Sequence, residues 1–544
     1  MKKKLFAIAA TAALALTLTA CGGAGGSGST DAVISINNTE PQNPLVPANT
    51  NEVGGGLILD HIFSGLEYYD VNGKPQLEVA TSIESTDNQN WTIKLKPDTK
   101  FSDGSKVTAA SFVDAWNQAV KHSMLNAYFF ESIDGYEEAL AAAEAAVEAD
   151  KEAVGTVDMK GLKVVDDNTF TVKLAQPESD FPLRLGYSAF YPLPKAGIGD
   201  RAKVKAFGEK PISNGPYLIK KDSWQHNVQI ELVPNKDYKG DRTPKNGGIL
   251  MKFYSTQDAA YNDLIGGNLD ILDAVPESAF GTYEKELGER AVNKPSAIFQ
   301  SFTIPANDTR FQGKAGILRK QALSMAINRD EICKTIFQGT RTPVTDFIAP
   351  VIPGHNEALK GNEVLKYNPK KAKELWKEAD KLSPWTGDFQ IGYNSDGGHQ
   401  SWVDATANSL KNTLGINAKG QPYADFKSIR NEITDRTIKI AFRTGWQADY
   451  PSPFNFLGPL YGTKASSNDG DYSNPKFDGL LKKALNTSDQ DAAAKFYDQA
   501  QEILLSELPA IPLWYSNVNG GYAEGLQNVQ FDWHSKVLLY AVTK

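Results

Sequence analysis

Short stretches with apolar residues at every second position alternate with longer stretches whose apolar residues recur every three or four positions. Residues 91–95, 170–174 and 228–232 follow the first pattern, which is typical of half-buried strands. The alternation runs through much of a chain of 544 residues, which is longer than one hydrophobic core usually organises. The sequence therefore predicts an α/β protein divided into two or three lobes.

Several helices can be placed by the polar residue that precedes their first turn. These residues are Thr108, Asn328, Asn368, Asn474 and Ser488. The apolar faces of the helices that follow predict core packing. Residues 137–153, rich in alanine and glutamate, instead predict an exposed helix, with disorder as the alternative.

The N-terminus has the pattern of a targeting segment followed by a tether. Lysines at positions 2–4 precede an apolar run over 5–20, and Cys21 follows. The last four residues of this segment, Leu-Thr-Ala-Cys, resemble the bacterial lipobox, in which the peptidase cuts before the cysteine and its sulfur is lipidated. We expect a signal peptide at 1–20, acyl chains such as palmitate on Cys21, and a lipid-anchored flexible tether at 21–30. A secretory peptide with an incidental cysteine is the alternative.

Cysteine and charge content narrow the functional classes. Cys333 is the only cysteine besides Cys21, so a disulfide framework is excluded and a buried, inert thiol is expected. The formal net charge of −8 becomes more negative by three when the signal lysines are removed. An acidic surface argues against nucleic acid or polybasic membrane contacts, so attachment is expected through the lipid on Cys21.

The motifs of common catalytic sites are absent from the sequence. It contains no HExxH, GxSxG, CxxC or GxxxxGK[ST], and its six histidines never lie within five residues of each other. We therefore predict a protein that is not an enzyme and needs no cofactor or metal. A secreted glycosidase, whose two acids can lie far apart in sequence, stays open as an alternative.

Twelve short motifs, distributed from near the N-terminus to the C-terminus, resemble those of the family 5 extracellular solute-binding proteins. They are 63–66 (FSGL), 69–70 (YD), 91–97 (WTIKLKP), 101–104 (FSDG), 107–109 (VTA), 213–217 (SNGPY), 235–238 (NKDY), 267–271 (GNLDI), 319–330 (RKQALSMAINRD), 367–370 (YNPK), 445–450 (GWQADY) and 507–515 (ELPAIPLWY). This family supplies the dipeptide- and oligopeptide-binding components of ABC importers.

The resemblance implies a two-lobed Venus-flytrap fold of the periplasmic-binding-protein type (type II, cluster C), with an extra domain inserted in lobe one. The lobes are joined by crossing strands. The expected boundaries are 31–65, 205–300 and 515–544 for lobe one, 66–204 for the inserted domain, and 301–514 for lobe two. We expect a monomer.

A protein that binds peptides of varied sequence must hold what all peptides share, and the terminal ammonium is the most demanding of these groups. A charge enclosed away from water needs a carboxylate partner. The alternation of Ile438, Ile440 and Phe442 predicts a strand that breaks at Gly445, and Asp449 follows in the loop. Ligand groups commonly bind at such strand ends.

In the family that this segment resembles, the aspartate of the GWQAD motif anchors the peptide ammonium. Carried over, this implies Asp449 as the ammonium partner and Trp446 as the wall of a side-chain pocket, with Gly445 and Gln447 in the same binding segment. Arg443 stands where oligopeptide binders have an arginine that meets a C-terminal carboxylate. The alternatives are a turn cap for Asp449, a core position for Trp446 and a surface ion pair for Arg443.

Other segments supply further candidates. Glu52 falls near a family glutamate that contacts ligand, and a solvated loop explains it equally well. Trp402, with His399, follows the turn 395–398 and can face the cleft or pack in the core. The aromatic residues 128–130 can line pockets, although core packing is the simpler interpretation.

Together these features predict a lipoprotein on the outer face of the bacterial cytoplasmic membrane. It captures short peptides and delivers them to the permease and ATPase subunits of an ABC importer. The same fold binding a nickel chelate, haem, an opine or an oligosaccharide is the alternative within this class.

Overall fold

The computed structural model describes residues 31–424, 426–465 and 467–544, without the side chains of Asp396 and Lys427. The predicted signal peptide, tether and lipid-bearing Cys21 lie outside these described residues.

The strands of the described residues are as follows. They are β1 Val33–Asn38, β2 Glu67–Tyr69, β3 Pro75–Leu77, β4 Ala80–Glu84, β5 Asn90–Leu95, β6 Leu162–Asp166, β7 Thr169–Lys173, β8 Tyr217–Ile219, β9 Gln229–Pro234, β10 Gly248–Phe253, β11 Ile271–Leu272, β12 Ala291–Thr303, β13 Arg341–Pro343, β14 Phe389–Asn394, β15 Ala418–Tyr423, β16 Ala441–Gln447 and β17 Ala510–Tyr522.

The α-helices of the same residues alternate with these strands. They are α1 Val53–Ile62, α2 Ala109–Lys121, α3 Tyr136–Ala149, α4 Arg201–Glu209, α5 Gln257–Ile265, α6 Tyr283–Leu287, α7 Gly313–Ala326, α8 Arg329–Thr335, α9 Pro369–Leu382, α10 Gln400–Leu414, α11 Phe426–Thr434, α12 Pro453–Tyr461, α13 Pro475–Leu485 and α14 Gln490–Glu507.

One large mixed sheet connects the two lobes. Its order is β15-β14-β16-β12-β17-β11-β1-β10-β9-β8, and β13 pairs with β17 outside this order. The central strands β12 and β17 are antiparallel and 13 residues long each. Strands β14 to β16 extend the sheet into lobe two, and β1 with β8 to β11 extend it into lobe one, so β12 and β17 are the crossing strands.

A separate four-stranded antiparallel sheet, in the order β4-β5-β7-β6, lies between lobe-one elements in the chain. Helix α2 packs on it, with the Phe112 ring stacked at 5.8 Å from the Phe170 ring. This sheet falls within the predicted insertion at 66–204. The α/β fold class with two lobes is confirmed, and the individual domain boundaries stay predictions.

Two hydrophobic cores account for most buried apolar side chains of the described residues. One is formed by lobe one, the four-stranded sheet and the C-terminal segment. The other is formed mainly by lobe two. Most apolar side chains between 260 and 287, a range predicted for lobe one, belong to the second core, because α5 packs beside β11 and α6 beside the crossing strand β12; Ile271 belongs to the first core.

The polar residues that mark helix starts were largely identified from sequence. Asn368 and Asn474 accept hydrogen bonds from the first turns of α9 and α13. The predicted start at Ser488 is one residue early, because Asp489 is the side chain that accepts from the Ala492 N–H. Helix α3 is exposed as predicted, with only three of its residues buried.

Arg329 links three segments of the second core, and it has no ion pair with a carboxylate of the residues that the structure describes. Its guanidinium donates to the carbonyl oxygens of Pro512 at 2.7 Å, Ser324 at 2.8 Å and Leu365 at 2.7 Å. The side chain is 2% exposed. Arg329 therefore satisfies carbonyls from three separate segments around one buried charge.

Replacing Arg329 by methionine should leave these carbonyls unpaired in the core. We expect a loss of about 3–5 kcal/mol in lobe-two stability, because each buried unsatisfied polar group costs about 1–3 kcal/mol. Thermal unfolding measures the effect. Lys334→Met, at an exposed position of α8, is the control, and equal melting temperatures for the two variants would contradict this role.

Candidate functional site

The candidate site is a cavity of about 430 Å³ between the two lobes. Lobe one contributes Glu52 at the start of α1 and Asp273 just after β11. Trp446 and Asp449 line it from lobe two, at and beyond the end of β16. Tyr128 and the C-terminal residues 534–537 complete the walls. The volume lies in the range of small-molecule sites.

Asn455 of α12 holds the acidic loop in place. Its Oδ1 accepts from the Asp449 N–H at 2.9 Å and from Trp446 Nε1 at 3.2 Å, while its Nδ2 donates to Asp449 Oδ2 at 3.1 Å. The Asn455 side chain is 1% exposed. One buried amide therefore fixes both Asp449 and Trp446.

The local sequence explains this arrangement. Ser452 caps α12 by accepting from the Phe454 N–H at 3.1 Å, and Pro453 occupies the first helical position. The predicted break at Gly445 is wrong, because β16 continues through Gly445 to Gln447 and pairs with β12. Only 448–452 form the connection, which keeps Asp449 three residues from the helix cap.

Asp449 carries an unpaired charge when ionised. Burial raises the pKa of its carboxyl to about 7, against the opposing effects of the Asn455 hydrogen bond and the nearby Lys536 ammonium. No ion pair of Asp449 occurs within the described ranges of the chain. Such a carboxylate favours a cationic ligand.

Lys536 is the cation whose charge acts on Asp449, but it forms its ion pair with a different carboxylate. Its Nζ donates to Asp60 Oδ2 on α1. The same segment places His534, whose pKa burial lowers to about 3, against the cavity, so that ring is neutral at ordinary pH. Residues 534–537 were missed from sequence, because they have no periodic pattern or recognisable motif.

The structure places the remaining predicted residues of the binding segment at or beside the cavity. Gln447 lines it and donates from Nε2 to the His534 carbonyl at 3.1 Å. Arg443 and Gly445 line an adjoining cavity of about 150 Å³, which shares Trp446 as a wall. Arg443 Nε donates to Asn394 Oδ1 at 2.8 Å.

Glu52 has a structural task in addition to its place in the cavity wall. Both of its carboxylate oxygens accept from the Gly55 N–H, at 3.0 and 2.9 Å, which caps α1. Tyr128 also lines the cavity, whereas Phe129 and Phe130 are buried in the first core. The aromatic triplet is thus divided between site and core.

Trp402 is the predicted site residue that lines neither this cavity nor the adjoining one. It is 2% exposed and packs edge-on against Trp514 at 5.3 Å in the second core. Its Nε1 donates to His399 Nδ1 at 3.1 Å, which satisfies the buried indole. The prediction that Trp402 faces the cleft is therefore corrected to a core position.

The described part of the chain has neither a metal-site cluster nor a membrane-spanning helix. No group of three or more His, Cys, Asp or Glu side chains there is arranged to hold a metal ion. None of its helices has the length and hydropathy to cross a membrane.

Comparisons with known proteins agree with this fold. The family model described as bacterial extracellular solute-binding proteins, family 5 Middle, matches residues 74–468. The periplasmic oligopeptide-binding protein OppA of Escherichia coli (strain K12) is 26% identical over 540 residues, covering 94% of this chain and 93% of that protein. The oligopeptide-binding protein OppA of Bacillus subtilis (strain 168) is 25% identical, covering 97% of each chain.

A solved structure has the same overall fold. Haemophilus influenzae OppA in complex with RPPGFSPFR superimposes with a TM-score of 0.76 at 21% identity, covering 95% of this chain and 99% of that one. Fold and family model together define an extracytoplasmic solute-binding protein rather than an enzyme. The chain belongs to family 5 of the bacterial extracellular solute-binding proteins.

The raised pKa of Asp449 predicts that the stability difference between the parent protein and an Asp449→Asn variant depends on pH. The folded carboxyl has a pKa of about 7, whereas an unfolded Asp has about 3.9. The folded state therefore binds more protons between these values, and its stability falls as pH rises through that window. The asparagine in an Asp449→Asn variant cannot ionise, so the variant does not lose this stability as the pH rises.

We expect Asp449→Asn to raise the melting temperature of the ligand-free protein at pH 8 by about 1–3 °C relative to the parent, and by less at pH 4.5. Thermal scans at both pH values test this. Asp435→Asn, an exposed carboxylate of lobe two, should show no such difference. A pH-independent effect of Asp449→Asn would contradict the buried, ionisable carboxyl.

Proposed function

We propose that this protein captures short peptides outside the cytoplasm and delivers them to an ABC importer. The observation that carries the proposal is the half-buried Asp449 carboxylate, which has no cationic partner among the described residues and lines the cavity between the lobes. A free peptide amino terminus supplies the missing charge. Asp449 is the proposed ammonium partner.

The neighbouring residues suit the rest of a peptide. Trp446 offers an apolar wall to a side chain, and Gln447 belongs to the same wall of the cavity. Arg443, in the adjoining cavity beyond Trp446, is the proposed partner of a C-terminal carboxylate. Glu52 is the proposed ligand contact from the lobe-one wall of the cavity.

Two lobes that share one ligand give a mechanism for capture. Peptide bound to one lobe gains the contacts of the other when the crossing strands β12 and β17 bend. Ligand shifts the equilibrium only by its greater affinity for the closed form. We propose that a monomer acts in this way, and that permease and ATPase subunits of the importer recognise the closed form.

The names of the relatives support a peptide rather than another solute. The Escherichia coli and Bacillus subtilis proteins are oligopeptide-binding proteins, and the Haemophilus influenzae structure contains a peptide. An unpaired carboxylate also suits an amine-bearing ligand better than a neutral sugar, whose binding needs no buried charge.

The ammonium assignment can be tested with matched peptides. Asp449→Asn should weaken binding of alanine peptides of two to five residues by about 100-fold or more, because the ligand charge is left buried and unpaired. Binding of the N-acetylated peptides should change by less than about threefold. Isothermal titration calorimetry measures both, with Asp435→Asn as the control. Equal losses for both peptide sets would overturn the assignment.

We further propose that Cys21 anchors the protein to the outer face of the bacterial cytoplasmic membrane. The lipobox-like sequence before Cys21 supports this. The acyl chains contribute about 0.8 kcal/mol per buried CH₂. The tether at 21–30 then leaves the lobes free to close.

Changing Cys21 to serine should move the protein from the membrane fraction to the soluble fraction and abolish incorporation of labelled palmitate. Cys333→Ser is the matched control, because Cys333 is buried in the second core, and it should stay with the membrane and keep the label. Retention of the Cys21→Ser protein on washed membranes would contradict the lipid anchor.

A further inference from the structure

The charged side chains that line the cavity differ in whether they already have a compensating partner within the protein. The carboxylates are Glu52 and Asp273 on the lobe-one wall and Asp449 on the opposite wall, and Lys536 is the ammonium among the same lining residues. A carboxylate that already has a partner in the protein gains little from a cationic ligand, whereas an unpaired carboxylate gains more.

Two of the four charged groups are already compensated. Glu52 accepts from the Gly55 N–H with both oxygens at the N-terminus of α1, where the helix dipole favours a negative charge. The Lys536 ammonium contacts Asp60, which lies outside this cavity's lining. Asp273 and Asp449 therefore remain as the uncompensated charges.

The Asp273 carboxyl is held by neutral hydrogen-bond donors, of which the Asn37 side chain and the backbone N–H of Ala274 are two. Asp273 Oδ1 accepts from Asn37 Nδ2 at 2.6 Å, and its backbone N–H donates to Asn37 Oδ1 at 2.9 Å. Asn37, on β1, is itself buried. Within the described part of the chain Asp273 has no ion pair, and burial raises the pKa of its carboxyl. This is the same condition as that of Asp449.

We propose that the cavity selects peptides with a second positive charge in a side chain, and that Asp273 on the lobe-one wall binds this charge while Asp449 binds the terminal ammonium. The inference rests on the proposed function and deepens it. The two carboxylates belong to different lobes, so a doubly charged ligand contacts both and stabilises closure. A singly charged peptide leaves the Asp273 carboxylate buried without a partner, which lowers its affinity.

The test uses three pairs of free-amine tripeptides. In each pair an otherwise alanine tripeptide carries either lysine or norleucine, an uncharged residue of similar length, at position one, two or three. For at least one position we expect the lysine peptide to bind the parent protein about tenfold or more tighter than its norleucine partner.

Asp273→Asn keeps an oxygen that can accept from Asn37 and removes only the charge. It should abolish the preference for lysine, by weakening binding of the lysine peptides and by strengthening binding of the norleucine peptides, because no unpaired charge is then left beside them. Asp241→Asn, at an exposed position of lobe one, is the control and should keep the preference.

The outcomes separate this inference from the proposed function. If the parent shows no lysine preference at any position, or if Asp273→Asn keeps it, the second charge site is overturned. Peptides that still bind in an Asp449-dependent way would then leave the proposed function standing. If none of the six free-amine tripeptides binds, both proposals fail.

Discussion

The arrangement of the site depends on an irregular pairing of the two crossing strands. The register between β12 and β17 shifts between Pro295 and Ile298, so the residues between them are released from the ladder. Ala297 instead donates its N–H to the Trp533 carbonyl and accepts from the Ala448 N–H, both at 3.0 Å. A single residue of the crossing strand β12, Ala297, therefore joins the C-terminal segment to the loop that carries Asp449. The carboxylate next to Ala448 is thereby held close to the crossing strand and to the C-terminal segment.

This connection has an energetic consequence. Holding Asp449 in a half-buried position raises the pKa of its carboxyl to about 7 by desolvation, so the ionised form destabilises the empty protein. Asp273 is in the same state on the opposite wall. On the proposed function, a ligand cation that contacts these groups relieves a cost already present in the folded chain, and closure of the lobes adds the second carboxylate to the first. Affinity and closure would then depend on the same carboxylates.

The sequence was informative where the signal is local. Helices opened by Asn368 and Asn474 are identified by one capping side chain, and Asp449 by a continuous motif that ends a strand. Trp402 was misplaced because an amphipathic aromatic fits a cleft and a core equally well until its neighbours are known. Lys536 lies 87 residues beyond Asp449 in the numbering, and the two come close through tertiary contacts such as the bonds of Ala297 to Trp533 and Ala448, which no local pattern in the sequence encodes.

The position of Lys536 supports the proposed selectivity of the cavity for cationic ligands. If this ammonium were paired with Asp449, the charge of Asp449 would be compensated within the protein. An uncharged solute could then bind without leaving that carboxylate buried and unpaired. Its Nζ contacts Asp60 of α1 instead. The lysine is therefore near enough to lower the pKa of Asp449 but does not occupy the place of the ligand. The proposed discrimination against neutral solutes rests on these unpaired carboxylates, because a ligand that displaces water without bringing a cation leaves them less well solvated than before.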